Sequence, residues 1–360
     1  MKRIVGTSKN SCVMQVASSP RKEVPVFRAG LMSSLAILLT LFACENKERD
    51  QCLFIPNTNN IEINLQFESL IDTIPAIRSK AGLVKFFSRH TQLRDDFFSR
   101  KEYPSDSAFI DELFNRFTHP SFDTLLMETH RVFGNGDELK NQFSEAFKNL
   151  KYYYPDFNPP KIQTVISGLE TDVMVTDSLI IIGLDYFLGE GARFRPNMYE
   201  YMLKRYHKNF VVPSVILLYG ISERYNKTNP ADKTILADMI AYGKAYAFTK
   251  HILPCMPDSV LTGYTQKEIE GAYFNEQTIW KRMLEDQVLF GTSHIVKQKY
   301  IAERPKTLEV SAQCPGRIGM WVGWQIANKY LNETGKKLPD LMVEEEAQRI
   351  FKISNYRGGS

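Results

Sequence analysis

Two carboxylates stand close together in a glycine-loaded stretch, Gly183-Leu184-Asp185-Tyr186-Phe187-Leu188-Gly189-Glu190-Gly191. At that spacing Asp185 and Glu190 could act as a general acid and base. The plainer alternative has Asp185 capping a turn and Glu190 in solvent. Glu276 is a third carboxylate that a hydrolase could recruit. Lys244 follows Gly243 inside a helical pattern, where glycine costs about 1 kcal/mol against alanine, so close packing or a cleft must require it. Gly319-Met320-Trp321-Val322-Gly323 has the G-x-x-x-G spacing, which outside a membrane marks the close approach of a second backbone. Trp280, Trp321 and Trp324 could line a groove for a peptide or glycan, or at least two of them belong to the core.

Other chemistry is missing. His90, His119, His130, His207, His251 and His294 form no H-E-x-x-H, and no two lie four residues apart, the spacing that turns two imidazoles to one helical face for zinc. They read as surface caps, with His90 at a core position. There is no G-x-S-x-G, no phosphate-binding glycine loop and no dinucleotide fingerprint. Cys255 and Cys314 adjoin prolines and read as inert buried thiols.

The N-terminal region reads as an address. Leu31–Ala43 is an uncharged apolar run behind Arg28, too short to span a hydrocarbon core of about 30 Å, and therefore an export signal over residues 1–43. It ends in Leu41-Phe42-Ala43-Cys44, which resembles a bacterial lipobox. Cys44 would be lipidated on sulfur and become the first residue of the processed protein, held stably by two or more acyl chains such as palmitate. The long leader suggests that the true start is later, at Met14 for example. Residues 44–60 then read as the lipidated cysteine and a polar tether. Cys12 leaves with the signal and Cys44 is consumed, so Cys52, Cys255 and Cys314 allow at most one bridge.

The leader also carries the charge. Lys2, Arg3, Lys9, Arg21, Lys22 and Arg28 face only Glu23 there, and the remainder of the 360-residue chain is nearly neutral although the whole is +4. A neutral body argues against nucleic acid as a partner.

The elements that must position these residues are mostly helical. Ile61–Phe67 alternates apolar and polar, the pattern of a half-buried strand. Leu83 to Phe97, Phe109 to Phe117 and the run from Asp137 to before Pro155 have helical spacing, and their many Phe read as core. Ile162–Ile166 reads as a strand, and Val173–Thr176, Asp177-Ser178 and Leu179–Ile182 as a hairpin. Asn229-Pro230 opens a helix to about Ile252. Thr265-x-x-Glu268 is a capping box for a helix to about Leu289. Ile318–Leu331 and Leu341–Phe351 are further helices. The expectation is one α+β domain over 61–360, predominantly helical, with a small mixed sheet.

Six blocks stand behind the lipobox: IGLDYFLG (Ile182–Gly189), DMIAYGKAYAF (Asp238–Phe248), HILP (His251–Pro254), GYTQKE (Gly263–Glu268), NEQTIW (Asn275–Trp280) and PGRIGMWVGWQIANKYL (Pro315–Leu331). Together they resemble the GldB family of gliding-motility lipoproteins of the Bacteroidetes, in the same order from about Ile61 to Leu331. The resemblance implies a cell-envelope lipoprotein needed for gliding, in a setting coupled to type IX secretion. Its partners would be envelope proteins of that machinery. The implied place is the cell membrane or outer membrane, with the body periplasmic. Glu45-Asn46-Lys47-Glu48 leaves surface export open.

A fainter likeness is to predicted zincin-type metalloproteases, which carry H-E-x-x-H on one helix and E-G-x-A on the next. Here the first helix, Pro213–Ser222, holds no ligand-type residue, and Tyr242 stands where the third ligand would. The likeness implies a degenerate zincin-like body that kept its cleft and lost its metal, with no cofactor. Asp185, Glu190, Tyr242, Lys244, Glu276, Trp280, Arg317, Trp321 and Trp324 are the candidate cleft residues. An envelope hydrolase, a divergent metalloprotease using Asp185, Glu190 or Glu276, and a carbohydrate-binding module on exposed tryptophans remain the alternatives.

Overall fold

The computed structural model describes residues 52–359; the expected signal peptide, the Met14 start and Cys44 lie outside them. Strand β1 (Phe67–Ser69) leads into α1 (Lys80–Phe87), α2 (Asp106–Phe117), α3 (Pro120–Phe133) and α4 (Asp137–Tyr153). Strands β2 (Lys161–Val165), β3 (Val173–Val175) and β4 (Leu179–Gly183) follow. Next come α5 (Glu200–Leu203), α6 (Val211–Ile221), α7 (Ile235–Ile252), α8 (Asp258–Thr262) and α9 (Gln266–Phe274). The last helices are α10 (Glu276–Glu285), α11 (His294–Tyr300), α12 (Ile318–Thr334), α13 (Leu338–Val343) and α14 (Ala347–Ser354). The fold is α+β and predominantly helical, as expected.

The sheet has the order β1-β2-β4-β3, parallel except for β3, which pairs antiparallel with β4. All five residues of β4 are buried, as a central strand covered on both faces requires. The hairpin turns at Asp177-Ser178, where the Thr176 amide donates to the Leu179 carbonyl at 2.9 Å and its hydroxyl accepts from the Leu179 amide at 3.0 Å. That side chain compensates for the absence of an Asn-Gly turn.

Strand β1 begins at Phe67, where the expected Ile61–Phe67 strand ends, so the expectation is corrected for residues 61–66. Parallel pairing sets Phe67 opposite Ile162, and the Gln66 carbonyl still accepts from the Ile162 amide, but Leu65 and Asn64 would face Pro160 and Pro159, which have no amide to donate. The alternation survives as side-chain burial without a ladder.

Caps explain most helix starts. Ser79 and Ser105 accept from Gly82 and Ala108 amides, each at 3.1 Å. The imidazole of His119 accepts from Ser121, ahead of Pro120 at the first turn of α3. Thr265 and Glu268 form the reciprocal box expected for α9. The Leu83–Phe97 run divides into α1 and a separate wide turn at Leu93–Phe97. The α7 start is also corrected. Asn229 closes a local turn onto Ala231, and Thr234 is the cap. The free amides of Ile235 and Leu236 donate to the carbonyls of Gly291 and Leu289, both at 2.9 Å, which places the start by contact across the fold.

Two expected helices are broken. The Asn275 side chain donates to the Gly271 carbonyl at 2.8 Å and separates α9 from α10, which ends at Glu285. The Leu341–Phe351 run divides into α13 and α14 because Lys227 and Asn229 amides take the Met342 and Glu345 carbonyls.

A phenylalanine-rich core fills the first half, with Phe87, Phe97, Phe98, Phe109 and Phe117 in edge or tilted contact at ring separations of 5.3–5.9 Å. A second core lies around α7 and α12. Helix α7 is buried on nearly every side, touches α6, α12 and α14, and contributes Phe248 and Ile252 to the first core.

Cys52 and Cys255 form a disulfide across 203 residues. Cys255 is therefore not the inert buried thiol expected, whereas Cys314 is buried and free. The tether is corrected too: residues from Cys52 onward are fastened to the body, and the Leu53 amide donates to the Pro254 carbonyl at 3.1 Å.

Candidate functional site

Helices α6 and α7, which the metalloprotease likeness singles out, do form two walls of a cleft of about 480 Å³. Leu217 and Ile221 line it from α6, and Tyr242 and Tyr246 from α7, one turn apart on the same face. Ile301 and Met320 close the apolar lining from α11's end and α12.

His294, Lys297 and Gln298 line the cleft from α11, with Lys297 paired to Asp238 at 2.7 Å, and the densest charge sits at the Arg317 end. Arg317 caps α12 with a left-handed backbone (φ +60°), unusual for a residue with a Cβ. Its guanidinium donates to the Thr262 carbonyl at 2.9 Å and the Tyr246 hydroxyl at 3.4 Å, and pairs with Glu303 at 3.5 Å. Glu303 also holds Arg205 at 2.9 Å. Burial pushes the Tyr246 and Tyr264 phenols up, so both stay neutral donors beside the arginine. The cleft offers an apolar slot bounded by a fixed guanidinium and phenol hydroxyls, suited to an apolar side chain with a neighbouring carbonyl or carboxylate.

The remaining sequence candidates do not gather here. Asp185 is completely buried, and its carboxylate accepts from the Ser167 amide at 2.9 Å, the Leu169 amide at 2.6 Å and the Ser167 hydroxyl at 3.1 Å. Burial pushes its carboxyl up while those donors hold it down. Glu190 is exposed, and the space between the two is only about 10 Å³, room for about one water. As an acid–base couple the pair is corrected: Asp185 fastens the turn after β2, and Glu190 is solvated.

Lys244 lies outside the cleft as well. Its ammonium donates to the Lys227 carbonyl at 2.6 Å and the Glu344 carbonyl at 2.8 Å, clamping two loops onto α7. Burial lowers its pKa to about 8, against the opposing charges of Glu344 and Glu345. Glu276 accepts from the Tyr356 hydroxyl at 2.7 Å, and burial raises its carboxyl. Trp280 packs on Tyr356 and Phe351, which ties the C-terminal segment to α10.

All three tryptophans are core residues, between 0% and 4% exposed. A glycan groove built on exposed tryptophans is therefore corrected. Among the described residues no three His, Cys, Asp or Glu side chains converge as a metal-ligand group.

Leu217, Ile221, Tyr246, Lys297 and Glu303 line the cleft without a sequence motif that marks them. Tyr246 was within reach, four residues after Tyr242 on a helix; Glu303 was not, because Arg205 and Arg317 meet it only in space. Glu268, which its motif marks only as a cap, also bridges Lys204 at 2.7 Å and Lys306 at 2.8 Å.

No helix among the described residues is long and apolar enough to cross a membrane. No curated protein and no solved structure matches the chain, so the metalloprotease likeness rests on the sequence pattern alone. A sequence model of the family described as "Gliding motility protein GldB" matches residues 51–358, nearly the whole body, in agreement with the six sequence blocks. The chain belongs to the GldB family of gliding-motility lipoproteins.

Proposed function

We propose that this protein is a non-catalytic, lipid-anchored envelope component of the gliding and type IX secretion apparatus, and that it holds a partner protein in the cleft between α6 and α7. The body stands on the periplasmic side of the cell membrane or outer membrane. What supports the reading is the family together with the character of the cleft. Three of its walls are aliphatic and aromatic, the α11 wall carries His294, Lys297 and Gln298, and its charged groups are paired: Glu303 is shared by Arg205 and Arg317, and Lys297 holds Asp238 at 2.7 Å. Tyr242, at the position where the metalloproteases place a ligand, is half-buried and turned into this space. A partner's apolar side chain would fill the slot, and a backbone carbonyl would meet Arg317 or Tyr242.

The test is photocrosslinking in intact cells from a benzophenone side chain placed at Ile221, which is 43% exposed at the cleft edge. One discrete adduct, absent when the probe sits at exposed Leu308, is the expected result. Gliding cells that give no Ile221-specific adduct would remove the cleft from the account. Turnover of a peptide or glycan by the purified protein would remove the non-catalytic part.

A further inference from the structure

Four exposed apolar side chains gather beside the Cys52–Cys255 bridge. Leu53, Phe54 and Ile55 are 40%, 67% and 59% exposed, and Tyr152, with its ring 6.5 Å from Phe54, is 41% exposed. They are held in place. Cys52 is bonded to Cys255 and the Leu53 amide to the Pro254 carbonyl. The Asn149 side chain donates to the Ile252 carbonyl at 2.9 Å, joining the C-terminal ends of α4 and α7. Three chain segments thus converge on one end of α7 and present a mixed aliphatic and aromatic surface there.

Cys44 precedes Cys52 by eight residues, which in any conformation span no more than about 29 Å. The bridge turns that limit into a constraint on the body, because Cys255 follows α7 directly. Leu, Ile and Phe beside a tyrosine is the composition that settles at the boundary of headgroups and acyl chains, with the phenol toward water.

We propose that this patch seats on the bilayer that holds Cys44, with Leu53, Phe54 and Ile55 entering the headgroup boundary. The proposal rests on the lipid-anchored reading above. A lipid surface is favoured over a protein because the anchor confines this end of the body to that surface. Helix α7 then has its Ile252 end at the lipid. Its 18 residues make it about 27 Å long, which separates its Ile235 end from the patch by about that length. Phe290 belongs to that far end, since the Ile235 amide donates to the Gly291 carbonyl, and it is 60% exposed. Tyr242 lies between the two ends, so the cleft is set back from the patch along the helix.

The experiment uses the natural full chain, purified from its own envelope, with Phe54→Trp or Phe290→Trp. Each variant is reconstituted into phosphatidylethanolamine–phosphatidylglycerol vesicles whose acyl chains carry bromine. Mass analysis of the N-terminal peptide and flotation report the anchor independently. The expected result is a blue shift and quenching of the emission added by Phe54→Trp, with neither for Phe290→Trp. Ile55→Trp repeats the measurement if Phe54→Trp folds poorly. Acylated, floating protein whose Trp at 54 and 55 is no more quenched than at 290 would overturn the seat while leaving the anchor intact. Protein without acyl mass that fails to float would overturn the anchor reading and the seat with it.

Discussion

Gly243 of α7 and Gly323 of α12 lie against each other where the two helices cross. A Cβ on Gly243 would overlap the Gly323 carbonyl and come within 2.6 Å of the Trp324 nitrogen. A Cβ on Gly323 would overlap the Met239 carbonyl. Backbone meets backbone here, and neither can yield as a side chain does. Gly243→Ala or Gly323→Ala should therefore cost about 3 kcal/mol or more, read as a drop in the denaturation midpoint. Gly271, within α9, has nothing within 4 Å of its notional Cβ, so Gly271→Ala should gain up to about 1 kcal/mol. Equal effects at the two kinds of site would show that helix propensity governs both.

The Cys52–Cys255 bridge closes a 203-residue loop, and chain entropy alone assigns it about 5 kcal/mol at most. Cys52→Ala should lower stability by about 2–5 kcal/mol in chemical denaturation. Both cysteines are exposed, so a reductant should reproduce the loss in the unaltered protein and leave Cys52→Ala unaffected.

Lys244 titrates inside the fold near pH 8 because burial disfavours its ammonium, against 10.5 in the open chain. Below about pH 8 both states hold the proton and the group adds no slope. Between about pH 8 and 10.5 only the unfolded chain holds it, so this lysine makes stability rise with pH across that window, by up to about 3 kcal/mol. Lys244→Met should remove that rise. It should also cost about 1–3 kcal/mol at pH 7, since it orphans the Lys227 and Glu344 carbonyls. Stability curves of the two proteins, subtracted so that the tyrosines cancel, give the measurement.

Glu268 responds at the other end of the scale. Burial alone would raise its carboxyl, but hydrogen bonds from Lys204, Lys306 and the Thr265 amide take it down to about 2. Its contribution is complete above about pH 4.5 and is lost as the pH falls toward 2, on the order of 2–3 kcal/mol. Glu268→Gln should be less stable at pH 7 and flatter in acid. Parallel acid-unfolding curves for the two proteins would refute the charge cluster.

In the cleft, Ile221→Asp and Tyr242→Ala alter half-buried or exposed side chains, so each should cost under about 1 kcal/mol of stability. Both should nonetheless reduce colony spreading at unchanged protein level. Normal spreading with either variant would place the partner contact elsewhere.

Much of this was local and therefore readable in the chain. Apolar spacing marked α2, α4 and α12, and the Thr265–Glu268 box marked the start of α9. The two close-packing glycines stood out because a helix tolerates glycine only for a reason. Each of these signals spans a few residues, and its physics is complete within them.

Long-range contacts settled the rest. Pro159 and Pro160 cut β1 short, the Leu289 and Gly291 carbonyls placed the start of α7, and Asp185 went to the Ser167 turn. Cys255 found Cys52 across two hundred residues, and Glu303 found Arg205 and Arg317. The residue types made such bonds available; which partner each would take depended on where folding brought distant segments, because a buried donor, acceptor or thiol pairs with whatever is nearest in space.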